Sequence, residues 1–341
     1  MDETNLEPMT PEEALELYLQ DRRTDLTKAS LQAHRYRLNH LIRWCDEEGI
    51  DNLNGLSGRD MHRYKLWRRD DGDLNKVTVK TQMDTVRVFI RWCEAIDAVQ
   101  PDLSDKVVSP TLDDGDNQRE VMLESDRAER ILNYLARFHY ASFDHVTVLL
   151  LWHTGMRTGA IYGLDVDDYD LENQRLQTHH RPDRGTPLKN KAKGERLIAL
   201  NTELCQVIED WMSHNRPDTV DEYGRCPLIT TSQGRATKST IRDRVYRWTR
   251  PCVISGECPH NRDMETCVAR DDHKKAYYDC PSVVSPHAIR RGSITHHLTE
   301  EVPEKVVSDR MNVGPDVLEK HYDQRTEEEK VEQRRTYLDN I

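Results

Sequence analysis

His287-Ala-Ile-Arg290, the opening of the longer run that ends His296-His-Leu298, carries a histidine and an arginine whose meaning comes from two distant residues. One is Arg157, in Thr154-Gly-Met-Arg157; the other is a late tyrosine, Tyr322. Two arginines, a histidine and a tyrosine form a kit for cleaving a phosphodiester without metal. A guanidinium is always charged, and its planar fork matches two phosphate oxygens. Two such forks can neutralise the charge that builds on phosphorus in the transition state. A tyrosine hydroxyl can then attack and hold the cleaved strand covalently. Each residue is common by itself, so order and spacing carry the information.

Thr154-Gly-Met-Arg-Thr-Gly-Ala-Ile-Tyr-Gly-Leu164 resembles the first catalytic box of tyrosine recombinases, the phage integrase and Xer class. His287-Ala-Ile-Arg-Arg-Gly-Ser-Ile-Thr-His-His-Leu298 resembles the second, His-x-x-Arg with a helical Thr-His-x-Leu ending. Met311-Asn-Val-Gly-Pro-Asp-Val-Leu-Glu-Lys-His-Tyr322 is similar to the third, Leu-Gly-His followed nine positions later by the nucleophile; nine from Val313 is Tyr322. Lys189-Asn-Lys-Ala-Lys-Gly-Glu-Arg-Leu-Ile-Ala-Leu200 resembles the family's lysine hairpin, and alignment on Glu195-Arg196 places its catalytic lysine at Lys191.

The resemblance implies roles. Arg157 and Arg290 would clamp the scissile phosphate, and Tyr322 would attack it, giving a 3′-phosphotyrosyl linkage and a free 5′-hydroxyl. Lys191 would protonate that leaving oxygen, and His287 would hydrogen-bond the phosphate or assist proton movement at the tyrosine. The bond energy stays in the protein–DNA linkage, so no cofactor is expected for catalysis. Two positions depart from the pattern: Val313 has no donor where His or Trp is usual, and Ala160 replaces the acid that generally supports the first arginine. Both bear on efficiency, and His321 beside the nucleophile is a candidate to compensate.

At 341 residues the chain fits two domains. Its mean hydropathy, −0.84, is low for a folded protein, but helical periodicities and six tryptophans argue against disorder for most of its length. Met1-Asp-Glu-Thr-Asn5 lacks a signal-peptide pattern and no apolar run is long enough to span a bilayer, so a cytoplasmic protein is expected. The net charge of −12 conflicts with binding to DNA phosphates. Positive charge is nevertheless concentrated from Arg225 to Arg250, where seven Arg and Lys residues face one acid, Asp243. An acidic chain that favours Arg over Lys also suits concentrated salt, where the Debye length falls to about 3 Å and long-range repulsion from DNA is screened. A halophilic, haloarchaeal host is therefore expected.

Residues 8–100 read as a four-helix domain. Thr10-Pro-Glu-Glu13 is a capping box with Pro in the first turn. Leu31, Leu38, Leu41, Ile42 and Cys45 form one apolar stripe ended by Gly49; Met61, Tyr64 and Trp67 mark a third helix, and Val79, Met83, Val86, Ile90 and Cys93 a fourth. This bundle resembles the SAM-like core-binding domain of the family, with Lys28, Arg35, Arg37, Arg43, Lys76, Lys80 and Arg87 as candidate phosphate contacts. Acidic, turn-rich residues 101–120 read as a linker, and residues 121–341 as the catalytic domain. There Arg175–His179 and Arg196–Leu200 read as strands flanking the lysine turn, and Asn201 as the cap of a helix reaching about Met212. Lys238 to Trp248 reads as a helix whose Arg242, Arg244 and Arg247, with Lys189 and Lys193 of the hairpin, are candidate DNA contacts. The fold class is thus mainly α with a small β-hairpin or sheet, α+β.

Cys252, Cys258, Cys267 and Cys280, with His260 and His273 nearby, lie in an insertion over 252–280. Clustered cysteines in a cytoplasmic protein suggest metal more than disulfides, so these four are a candidate structural zinc site, although the spacing lacks paired C-x-x-C knuckles.

The reading is a site-specific DNA recombinase acting on double-stranded DNA, a monomer in solution that assembles as a homotetramer on paired sites, with the tail from Thr326 to Ile341 docking onto a neighbour. Two alternatives keep the fold: a DNA-relaxing enzyme of the type IB topoisomerase kind, and a DNA-binding regulator that has lost activity.

Overall fold

The computed structural model describes residues 6–113, 115–116, 121–271, 276–321, 325–328, 331–332 and 335, with the side chains of 319–321 left aside. The chain divides into two compact units, Met1–Gln118 and Arg119–Ile341.

The first unit contains α1 (Pro11–Asp21), α2 (Lys28–Glu47), α3 (Gly58–Asp71) and α4 (Lys76–Glu94). Each start is fixed by a side-chain cap. Thr10 and Glu13 form the reciprocal capping box, Ser57 and Asp60 form another, and Thr27 and Asn75 accept from the N–H groups of Ser30 and Thr78. Leu38, Leu41, Cys45, Met61, Tyr64, Val79, Met83, Val86, Ile90 and Cys93 meet in one core. Residues 101–109, read from sequence as the start of a linker, pack on this bundle: Leu103 and Val107 are buried, and Arg87 donates to the Val107 carbonyl. Most of the basic side chains read as phosphate contacts have partners within the unit. Arg35 pairs with Glu16, Arg43 with Asp71, Lys80 with Asp84, and Lys76 with Asp113 and Asp116.

The second unit is built around α6 (Phe143–Thr154), which is buried on every side over Val146–Trp152, a run that is apolar apart from Thr147. Around it stand α5 (Ser125–Phe138), α7 (Thr158–Gly163), α8 (Thr202–Asp210), α9 (Lys238–Trp248), α10 (Pro251–Ser255), α11 (Pro286–Thr299), α12 (Glu304–Met311) and α13 (Pro315–His321). Strands β1 (Tyr169–Asp170), β2 (Arg175–Thr178) and β3 (Arg196–Ala199) form an antiparallel sheet in that order, with Thr178 opposite Arg196; β4 (Thr230–Thr231) and β5 (Gly234–Arg235) form a small hairpin. The fold is mainly helical with small antiparallel sheets, as the sequence pattern implies. Asn201 caps α8, accepting from the Leu204 N–H at 3.0 Å, and a π-turn over Trp211–Asn215 extends that helix. The segment leading into α5 lies on α11, where a Cβ at position 292 would come within 1.9 Å of the Leu123 carbonyl oxygen. Only glycine permits that approach. Among the described residues, no helix is long and apolar enough to cross a membrane.

Candidate active site

The site is assembled on the C-terminus of α12. Three consecutive backbone carbonyls there each accept from a different arginine. Arg310 O takes Arg196 Nε at 2.7 Å, Met311 O takes Arg290 Nη1 at 2.8 Å, and Asn312 O takes Arg157 Nη1 at 3.1 Å. The last carbonyls of a helix lack intrahelical partners and carry the negative end of its dipole, so they are natural seats for guanidinium groups. Asn312 ends the helix in the left-handed conformation, φ 51°. It occupies the position of the family's glycine, and Asn is among the few other residues that adopt this conformation readily.

Each arginine reaches this point for a local reason. Arg157 precedes α7 in extended backbone, immediately after a turn in which Gly155 closes α6 at φ 55°. A Cβ on Gly155 would lie 2.6 Å from Met311 Sδ. Arg290, in α11, is 1% exposed and also donates to the Gly155 carbonyl. Arg290 therefore joins the turn that delivers Arg157 to the helix end that both arginines share.

His287 stands in the first turn of α11. The residue is exposed, yet partial burial of its ring, followed by Arg291, Arg290 and Arg157, lowers its pKa to about 4. It is neutral at pH 7 and able to accept a proton. Arg196, which the sequence reading used only to set the hairpin register, joins the cluster. Burial, then Arg290, Arg157 and Arg310, lowers its pKa to about 10, leaving it charged at neutral pH. Arg310 was likewise missed; it donates to the carbonyls of Ala199 and His153 at 2.6 and 2.9 Å.

Beside the arginines lies an open depression of about 260 Å³, lined by Arg157, Ala160, Lys189, Arg196, Lys238 and Asn312 among others. Among the described residues its walls carry four cations and no carboxylate. Lys189 lines it, whereas Lys191 and Lys193 stand exposed on the adjoining 3-10 turn, outside its walls, with Lys191 at φ 52°. Tyr322 lies outside the described residues, as does His273. Val313 is buried with Ile294, Leu298, Val307, Met311 and Leu318, so its side chain serves the packing of α11, α12 and α13.

Two expectations need correction. The charge surplus between Arg225 and Arg250 is not a free basic surface. Arg225 and Arg235, with Arg181, form a network with Asp165, Asp168 and Asp221 whose carboxylate side chains are 3–7% exposed. Arg250 is buried and donates to the Ala269 carbonyl. On α9, Arg244 turns toward Asp144 at 3.4 Å and the Phe143 ring, Arg247 lies over the Trp248 ring, and Arg242 is exposed beside Asp243.

The second correction concerns zinc at Cys252, Cys258, Cys267 and Cys280. Among the described residues no group of three or more His, Cys, Asp or Glu side chains is placed to hold a metal ion. The segment is braced otherwise: His260 Nε2 bonds Ser282 Oγ at 2.8 Å, Arg262 donates to the Asp279 carbonyl, and Arg250 covers the Tyr277 ring.

Residues 121–313 match the phage integrase family. Similar proteins include tyrosine recombinase XerC of Pseudomonas syringae pv. tomato, 20% identical over 204 residues, covering 59% of this chain and 64% of that protein. Tyrosine recombinase XerD of Yersinia pestis is 21% identical over 290 residues, covering 83% and 82%. The chain spans 64%, 57% and 64% of the length of the first three XerC relatives it matches. In fold it is similar to the Tn1549 transposon integrase in complex with a circular intermediate DNA, with a TM-score of 0.65 at 16% identity, covering 98% of this chain and 100% of that one. It is also similar to a lambda integrase dimer bound to a COC′ core site, with a TM-score of 0.60 at 10% identity, covering 96% and 77%. Since the family match covers more than half of its length, the chain belongs to the phage integrase family.

Proposed function

We propose that this protein is a tyrosine-type site-specific recombinase that cleaves and rejoins double-stranded DNA through a 3′-phosphotyrosyl intermediate. The observation that carries this reading is the convergence of Arg157 and Arg290 on the adjacent carbonyls of Met311 and Asn312. Residues separated by most of the catalytic unit meet at the segment that leads, in the family register, to Tyr322.

In the proposed reaction, Tyr322 Oη attacks phosphorus as Arg157 and Arg290 hold the non-bridging oxygens. The bond from phosphorus to the 5′-oxygen breaks, and Lys191 supplies the proton to that oxygen. Neutral His287 hydrogen-bonds the phosphate or accepts the proton from Tyr322. Rejoining is the reverse step, so neither nucleotide nor metal enters the chemistry. With DNA as substrate, the protein works in the cytoplasm as a monomer that forms a homotetramer on paired sites, and its acidic surplus suits a salt-rich, haloarchaeal cell.

The test is incubation in high-potassium buffer with nicked suicide duplexes drawn from the gene's flanks, without added metal. A denaturing gel should show a covalent protein–DNA adduct that Tyr322→Phe abolishes. Specific binding with no adduct would instead support the regulator, the reading favoured by the missing acid at Ala160 and the missing donor at Val313. Relaxation of supercoiled DNA by the monomer, without paired sites, would support the topoisomerase-like alternative.

A further inference from the structure

We infer that Lys238 contacts a backbone phosphate next to the scissile one, an inference that rests on the reading of the site as a DNA-cleaving centre. Lys238 opens α9 and lines the same depression as Arg157, Arg196 and Asn312. It stands apart from the arginines of the Asp165 and Asp221 network. Among the described residues it forms no ion pair, and its ammonium rests 5.1 Å from the centroid of the Tyr162 ring. Arg235, which also approaches that ring, is by contrast committed to Asp165 and Asp221.

Lys238 and Arg157 line one depression with only small side chains at positions 159 and 160. Residue 159 is glycine, and a Cβ there would meet only the end of the Lys238 side chain, at 3.9 Å. Residue 160 contributes only a methyl group, and among the described residues no carboxylate lines the depression to neutralise the ammonium. A lysine in the first turn of a helix also opposes the helix dipole, an arrangement that becomes favourable when an anion lies against it. The cations of the depression thus divide the work: the arginines hold the reacting phosphate, and Lys238 acts as a point charge for its neighbour. Such a contact fixes the register of the strand and reads no base.

Two measurements test this. First, the salt dependence of binding to a generic 30-base-pair duplex is compared for the parent protein, Lys238→Ala and Lys238→Arg. Loss of one phosphate contact should lower the slope of log affinity against log salt by about 1, and Arg should restore it. Second, cleavage rates are measured on nicked suicide duplexes in which single phosphates flanking the break are replaced by neutral methylphosphonate. Lys238→Ala should slow adduct formation about tenfold on the normal substrate. At one flanking position, methylphosphonate should slow the parent equally while adding nothing to the variant. Additive losses at every position, or an unchanged salt slope, would overturn the inference. If the parent forms no adduct, the proposed function fails by itself, and the salt slope still decides whether Lys238 touches phosphate.

Discussion

The guanidinium of Arg157 donates to the backbone carbonyl of Asn312 at 3.1 Å, so the first arginine of the site is held by the main chain at the end of α12. This carbonyl points where it does because Asn312 adopts φ 51° and ψ 61°. The conformation suits Gly or Asn and strains a β-branched residue by roughly 1–2 kcal/mol. Asn312→Gly should keep adduct formation close to the parent rate in single-turnover assays, despite losing the hydrogen bond from Asn190. Asn312→Val should lower it about tenfold or more, as the strained turn shifts the carbonyls that orient Arg157 and Arg290. Equal rates for the two variants would show that the turn geometry does not matter.

Acid should weaken the fold of the second unit. His145, His153, His287 and His297 are each lowered to about 4, with burial the largest cause in every case. An unfolded histidine titrates near 6.5. Between about pH 6.5 and 4 the unfolded chain therefore binds protons that the folded chain refuses, and stability falls as pH falls. Thermal unfolding of the full chain should show a melting temperature that is flat above about pH 7 and drops steadily below about pH 6. Replacing His145 with Gln should make that drop shallower. A profile that stays level to pH 4.5 would contradict the low values.

Much of this could be read from residues, for identifiable reasons. The helix starts at Thr10, Ser57 and Asn201 are local chemistry, in which a side chain and a backbone N–H three residues apart decide the boundary. The apolar stripes of α2 and α4 are equally local. What escaped the reading depends on the fold. No pattern marks a carbonyl as the seat of Arg196 or Arg290, since every residue carries one. Arg225 and Arg235 looked like surface charge because their acidic partners, Asp165 and Asp221, are fixed only by tertiary structure. Val313 looked like a missing donor, yet in the fold it is a packing residue.

The network around Asp221 makes a separate prediction. Burial alone would raise the pKa of this carboxyl, but the Arg225 backbone N–H, the Arg235 side chain and the Tyr223 backbone N–H together hold it at about 2. Its charged form thus contributes stability above the unfolded value near 3.9, and that contribution disappears as pH falls through about 2. Asp221→Asn should destabilise the protein at pH 7 by about 3–5 kcal/mol, the usual result of leaving buried cations short of a partner. Chemical denaturation would measure it. A loss below 1 kcal/mol would mean that Asp165 alone satisfies both arginines.

The lysine turn offers a sharper chemical test. Lys191 has the family register and a left-handed backbone, whereas Lys189 lines the depression beside Arg157. A general acid and a phosphate contact can be told apart by the leaving group. When the 5′-bridging oxygen is replaced by sulfur, the departing thiolate needs no proton, so loss of the acid no longer matters. Lys191→Ala should slow cleavage of the normal substrate by about 10²-fold or more and recover most of that loss on the sulfur substrate. Lys189→Ala should cause a smaller loss that sulfur does not repair, because a missing phosphate contact is missed with either leaving group. If the recovery belongs to Lys189, the residue lining the depression is the acid, and the turn carries its proton donor two residues earlier than the family register places it.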